Sequence, residues 1–111
     1  MKNATDLFFD AFANKNRFNI LMQLRNKEMC AGDLQKTLGV EQTNLSHDLK
    51  CLLNCKFISV RKEGRKRVYK INNETNELVD EVAKHVKNYE TYLKKCGILK
   101  EEKKWKNMSM Q

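Results

Sequence analysis

Two cysteines four residues apart, Cys51 and Cys55, are the first residues in this chain whose type and spacing could do chemistry. On a helix an i, i+4 pair holds its β-carbons about 6 Å apart, near enough for two thiolates to grip one soft cation. Cysteine also serves as a small buried apolar residue, and that alternative stands beside the first. Measured around the helix, both lie more than about 100° from the centre of the stripe formed by Leu45, Leu49, Leu52 and Leu53. The pair is therefore expected off the core. Just downstream, Arg61, Lys62, Arg65, Lys66, Arg67 and Lys70 put six cations into ten residues, a density suited to neutralising phosphates. Ahead of the cysteines, Gln42, Thr43, Asn44, Ser46, His47 and Lys50 supply the donors and acceptors that can reach base edges. Either group alone could be solvated surface, since polar residues on an amphipathic helix are ordinary. Side by side they favour double-stranded DNA as the partner.

The elements that must position these residues can be read from periodicity. Leu7, Phe8, Ala11 and Phe12 recur at helical spacing, and after a soft break at 14–16 so do Phe18, Ile20, Leu21 and Leu24. The stretch 31–40 is a short amphipathic helix closed by Gly39, a residue suited to the left-handed position after a helix. A second helix starts at Glu41 and carries the polar residues and both cysteines. Short helix, glycine turn and polar-fronted helix make a helix-turn-helix. The period then changes. Residues 57–62 are rich in β-formers, Glu63-Gly64-Arg65-Lys66 is a hairpin turn and 67–71 is the returning strand, which together make a wing. Leu78, Val79, Val82, Ala83, Val86, Tyr89 and Leu93 mark a last amphipathic helix of about 20 residues. Its apolar face exceeds what so small a module needs, which predicts a homodimer. The expected fold is mainly α with a small β-hairpin, a homodimeric winged helix-turn-helix over 1–96 followed by a charged tail, 97–111, around Trp105.

The totals agree. The chain has 111 residues, 41% of them apolar, enough for one modest core, and 22 Lys and Arg against 14 acids give a net charge of +8. An anionic macromolecule is favoured over a small acidic substrate. No Gly-rich phosphate loop is present, and His47 and His85 have no nucleophile–base–acid spacing around them, so no enzyme is expected. The first apolar run, Leu7 to Phe12, contains Asp10 and is too short for a signal or membrane segment. A cytoplasmic protein is expected, with four cysteines as thiols or ligands and no membrane partner.

The helix-turn-helix and wing resemble the ArsR/SmtB family of metal-responsive repressors over residues 6–95. The resemblance is carried by Lys15-Asn16-Arg17-Phe18-Asn19-Ile20-Leu21, by Glu28-Met29-Cys30-Ala31-Gly32-Asp33-Leu34, which is read as opening the third helix, and by Thr43-Asn44-Leu45-Ser46-His47-Asp48-Leu49-Lys50. Asp48 departs from it, since the family usually has histidine there, and Glu41 replaces a common small hydroxyl residue. The resemblance implies a dimer built on the first and last helices that binds an operator and releases it when metal binds. One family site uses Cys-x-Cys on the third helix; Cys30 matches its first thiolate but Gly32 stands in the second place. Another uses Asp and His on the last helix, which His85 alone cannot supply. Cys51 and Cys55 with Cys96 resemble instead the ligands of the cadmium- and lead-sensing CmtR-type members, in which the tail cysteine comes from the other protomer. Three thiolates favour cadmium, lead, mercury or arsenite as the effector, with zinc if a fourth ligand joins and Cys30 as an additional candidate; no organic cofactor is implied. A redox- or sulfide-responsive repressor using the same thiols, and a metal-independent DNA-binding protein, are the alternatives.

Overall fold

The computed structural model describes residues 2–99. Its elements run α1 (Ala4–Phe12), α2 (Lys15–Asn26), β1 (Met29–Cys30), α3 (Ala31–Leu38), α4 (Gln42–Asn54), β2 (Ile58–Glu63), β3 (Lys66–Ile71) and α5 (Asn73–Lys95). This is a winged helix-turn-helix, mostly helical with a small antiparallel sheet. The tail expected at 97–111 lies outside the described residues from 100 onward.

Local signals set the helix ends. Asn3 and Asp6 form a reciprocal capping box at the start of α1, and the Asn14 side chain accepts from the Arg17 N–H at the start of α2, each satisfying donors that a helix N-terminus leaves open. Gly39 ends α3 at φ 63°, and its N–H donates to the Gln35 carbonyl. The turn into α4 is therefore as tight as expected, because a glycine takes the left-handed conformation without a Cβ clash.

The wing is part of a three-stranded sheet in the order β1-β3-β2. The sequence predicted only the hairpin; Cys30 does open the third helix, as the N-cap of α3, and it also ends a short strand. In the structure Met29 pairs with Tyr69 and Cys30 with Val68. Two residues are too few to show an alternating pattern, and it is pairing with β3 that makes them a strand. Gly64 turns the hairpin at φ 65° while Arg65 stays at negative φ, the arrangement of a type II′ turn.

One core holds all of this. Ile20, Leu21, Leu34, Leu52 and Val79 are almost fully buried, with Leu45, Leu49, Phe57, Ile58, Tyr69 and Ile71 around them. Helix α1 docks onto that core through aromatic contacts, Phe8 and Phe12 meeting Phe57 at 5.4 and 6.0 Å and Phe12 meeting Phe18 at 5.7 Å. Helix α5 differs from the others. Of its 23 residues only Thr75 and Val79 are buried, and the rest carries Tyr89 and Tyr92 exposed. Among the described residues no helix is long and apolar enough to cross a membrane.

Candidate nucleic-acid interface and thiol pair

Leu45, Leu49 and Leu52 turn one side of α4 into the core. Gln42, Thr43, Asn44, Ser46, His47 and Lys50 are thereby left exposed. A helix seated by its leucines holds these six side chains at fixed spacing on one outward surface, the disposition a major-groove reader needs.

The hairpin register sorts the wing cations into two faces. Ile58 pairs with Ile71, Val60 with Tyr69 and Lys62 with Arg67, so these residues share the face that meets the core; Ser59–Lys70, Arg61–Val68 and Glu63–Lys66 make the other. Toward the tip the inner face passes from buried Ile58, through Val60 at 39% exposure, to two like charges directly opposed. Like charges opposite one another destabilise a strand pair. Lys62 and Arg67 are thus positioned for an anion from outside. On the other face, Lys66 stands opposite Glu63. Arg61, expected from the sequence to meet phosphate, also has partners in its own chain. Its guanidinium donates to Glu63 at 2.7 and 3.0 Å and to Glu28, exposed pairs that brace the wing against the segment before β1. Arg65 occupies the turn itself, exposed.

Arg17 is a residue that sequence reasoning did not single out. Its Nη1 donates to Asp48 at 2.9 Å, its Nε to the Ala11 carbonyl and its Nη2 to the Asp10 carbonyl, both at 3.2 Å. One guanidinium thus joins the end of α1, the start of α2 and the middle of α4. Asp48, a departure from the family pattern, is explained by that pair. Nothing in the local sequence marks it, since α2 also carries Lys15, Asn19, Gln23 and Arg25.

Cys51 and Cys55 are brought together one helical turn apart, near enough for each sulfur to affect the other's charge. They are not clear of the core, however. Both are half-buried and packed against it, because α2, α3 and β2 all lie against α4 and cover more of it than its leucine stripe alone would indicate. Burial foremost, then the neighbouring Cys51 sulfur, push the Cys55 thiol above its ordinary value, while Arg17 pulls the other way. A folded-state value above the unfolded one means that the native chain holds the proton more tightly. The contribution to stability is therefore complete at neutral pH and is lost as pH rises beyond about 9, the ordinary thiol value. Denaturant unfolding of the reduced, metal-free protein at pH 7 and pH 10 is expected to show a loss in wild type that Cys55→Ser lacks; equal losses would refute it.

Cys96 stands apart, exposed at the C-cap of α5. Gly97 comes next at φ 77°; its N–H donates to the Lys94 carbonyl and the Ile98 N–H to the Leu93 carbonyl, a closure that stops the helix at a defined residue. Cys30 is in β1 opposite Val68, on the sheet face away from the core-facing Met29 and Tyr69. Among the described residues of one chain, no three His, Cys, Asp or Glu side chains converge on a point. The chemistry within a chain is thus two soft donors, enough to start a thiolate site and one ligand short of a trigonal one.

A groove of about 470 Å³ runs between the α1–α2 corner and α5, lined chiefly by Phe9, Phe12, Phe18, Val82, Val86 and Tyr89. It is almost wholly apolar, and Phe9 and Tyr89 are more than half exposed.

Comparison with known proteins gives these features a setting. Residues 14–60 match the model of the bacterial regulatory protein arsR family. The chain is 31% identical over 80 residues to a transcriptional repressor SmtB homolog of Synechocystis, covering 71% of this chain and 61% of that protein. It is 34% identical over 80 residues to a putative arsenical resistance operon repressor, ArsR2, of Halobacterium salinarum, covering 69% of this chain and 67% of that one. The chain thus spans about three-fifths of the cyanobacterial relative's length. In structure it is similar to the homodimeric winged helix-turn-helix DNA-binding domain Mb0332 of Mycobacterium bovis, with a TM-score of 0.75 at 22% identity over 80% of this chain and 83% of that one. Helix-turn-helix, wing and matching residues converge, and the chain belongs to the ArsR/SmtB family of bacterial regulatory proteins.

Proposed function

We propose that this protein is a homodimeric transcriptional repressor of the cytoplasm, where thiols stay reduced. It holds operator DNA through α4 and the wing and releases it when a thiophilic ion is bound by Cys51 and Cys55 of one chain and Cys96 of its partner. The observation that carries the reading is the joint placement on α4: Gln42 to Lys50 lie along the helix and the two cysteines at its end, Cys51 in its last turn and Cys55 as its C-cap. Chemistry at that end bears on the reading surface for as long as the last turn of α4 is held in place. The names of the relatives, a repressor of the SmtB type and an arsenical resistance repressor, support the class.

The DNA-contacting set is Gln42, Thr43, Asn44, Ser46, His47 and Lys50 for bases, and Lys62, Arg65, Lys66 and Arg67 for phosphates, with Arg61 as a brace. A second copy of the chain covers the apolar groove, bringing the exposed Leu7, Phe9 and Tyr89 out of water. Two half-buried thiols fit a soft thiophilic centre, the cadmium or lead cation or As(III) from arsenite, better than magnesium or calcium, and zinc needs a fourth donor. When bound, such an ion supplies a bridge between the recognition helix of one chain and the last helix of the other. Cys51 and Cys55 give up their protons to serve, and the raised Cys55 value makes binding weaken as pH falls. The α4 helix of each chain is then held to the partner's α5, in a dimer whose reading helices no longer match successive major grooves. A coupling of about 1–3 kcal/mol changes operator affinity roughly 5- to 150-fold.

The test is a cadmium titration of reduced protein, monitoring the ultraviolet thiolate-to-metal absorption, alongside anisotropy with a duplex selected by the protein from a random-sequence pool. One ion per chain, lower duplex affinity, and loss or weakening of both effects in Cys51→Ser and Cys96→Ser are expected. No absorption in wild type refutes the metal reading; a mild oxidant that consumes two thiols and releases the duplex would replace it with the redox one.

A further inference from the structure

The recognition helix ends in a way its sequence does not favour. Lys56 has φ 65°, the one non-glycine in the left-handed region among the described residues. Its N–H donates to the Leu53 carbonyl at 3.1 Å, and the Phe57 N–H donates to the Leu52 carbonyl at 3.0 Å. This double closure is one that glycine ordinarily makes, because a Cβ crowds the backbone there. A lysine persists in that conformation only when its surroundings hold it.

Asn72 does the holding. Its Nδ2 donates to the Lys56 carbonyl at 2.6 Å and its backbone N–H to the Phe57 carbonyl at 3.0 Å. Asn72 is also the N-cap of α5, where an asparagine usually turns its Oδ1 onto the first-turn N–H groups. Here its side chain makes no capping bond. The residue type best suited to start α5 is diverted instead to grip the last turn of α4, one residue past Cys55. Phe57, the next residue, is pinned under Phe8 and Phe12 of α1. The end of α4 that carries the thiol pair, the start of α5 and the rings of α1 thus meet at one peptide.

We propose that Asn72 is the positioning residue of the thiol response: it ties the Cys55–Lys56 end of the recognition helix to the start of α5, so that a constraint on the cysteines moves both helices together. The inference rests on the reading of Cys51 and Cys55 as the effector site. Without the tie, Lys56 leaves the left-handed conformation, the last turn of α4 frays, and the cysteines move without carrying Gln42 to Lys50 with them. By linkage, the tie also transmits in reverse, so duplex binding lowers affinity at the cysteines by the same factor.

The experiment compares wild type, Asn72→Asp and Asn72→Ser. Aspartate and serine both cap a helix well; the aspartate carboxylate cannot donate to the Lys56 carbonyl, and the serine hydroxyl, though a donor, sits one bond closer to its own backbone than the Asn72 Nδ2. Cadmium alone is the probe. Its thiolate absorption reports occupancy, and anisotropy of the selected duplex with and without cadmium reports the response. In wild type the ratio of affinities is expected at roughly 5 to 150; in both variants it is expected to collapse below about 2 with absorption and stoichiometry unchanged. A wild-type ratio in the variants overturns the proposal, as does loss of the absorption together with the ratio, since Asn72 would then build the site and not transmit from it. Wild type that binds cadmium without losing duplex affinity overturns it too. Wild type with no absorption at all removes the effector reading beneath it, a result separable from the others. Should Asn72→Ser unfold, Asn72→Ser/Lys56→Gly restores the fold, because glycine takes the left-handed conformation unaided. That double variant is expected to stay uncoupled, and coupling regained with the fold would mean that Asn72 is merely structural.

Discussion

Replacing Lys62 and Arg67 together by alanine is expected to weaken duplex binding about 100-fold, at about 1.5 kcal/mol per charge-assisted contact. It should also flatten the dependence of log affinity on log salt by about 1.8, or roughly 0.9 for each phosphate no longer neutralised. The register is the reason. These two cations oppose one another across the hairpin on the face that leads out of the core, a disposition that costs the free protein a few tenths of a kcal/mol by like-charge repulsion. Removing them should slightly stabilise the free chain while weakening the complex. Those opposite signs separate a binding role from a folding one. Arg61→Ala is the internal control: with its guanidinium already on Glu63 and Glu28, it should leave the salt slope within about 0.3 of wild type. Anisotropy titrations over a salt series measure both. If Arg61→Ala flattened the slope as much as the double variant, the division of the wing into two faces would be wrong as an account of binding.

Arg17→Met should cost the fold about 3 kcal/mol, at the lower end of the cost of removing one partner of a buried ion pair, and lower the melting temperature roughly 10–20 °C for a domain of this size. Both side chains are largely shielded, at 15% and 13% exposure. The substitution strands the Asp48 carboxylate and frees two carbonyls at the end of α1. Asp48→Asn should cost less, since Arg17 keeps its carbonyl acceptors and the amide oxygen can still accept. Arg17→Met/Asp48→Leu should recover much of the loss, because an apolar pair carries no desolvation penalty. Thermal unfolding decides the matter. A double variant no more stable than Arg17→Met would show that the carbonyl bonds, and not the pair, carry the energy.

Features with a short-range cause were legible in the sequence. Gly39 ends α3 and Gly64 turns the wing because of their own backbone freedom, and the leucines of α4 settle which side faces outward, so helix, turn, helix and hairpin were all readable. Strand β1 was not, since Met29 and Cys30 become a strand only through Tyr69 and Val68, forty and thirty-eight positions away. The same limit applied at the site. That Cys51 and Cys55 adjoin is a matter of helical spacing; that they are half-buried depends on where α2 and β2 come to rest. The contact of Arg61 with Glu28, thirty-three positions away, likewise has no local sign. Arg17, Lys56 and Asn72 gave almost no local sign, because Lys56 and Asn72 act through backbone carbonyls that any residue could supply and the carboxylate partner of Arg17 lies thirty-one positions away.

Past Val79, no residue of α5 is buried within its own chain, and a segment of about sixteen residues is marginal as an isolated helix in water. In a lone chain the amides of this arm are expected to exchange more readily than those of the helices around the core. If a second copy covers the arm, dilution unwinds it without melting the body. The amount of protein in the cell then becomes an input in its own right, setting what fraction of molecules carries a finished arm before any effector arrives.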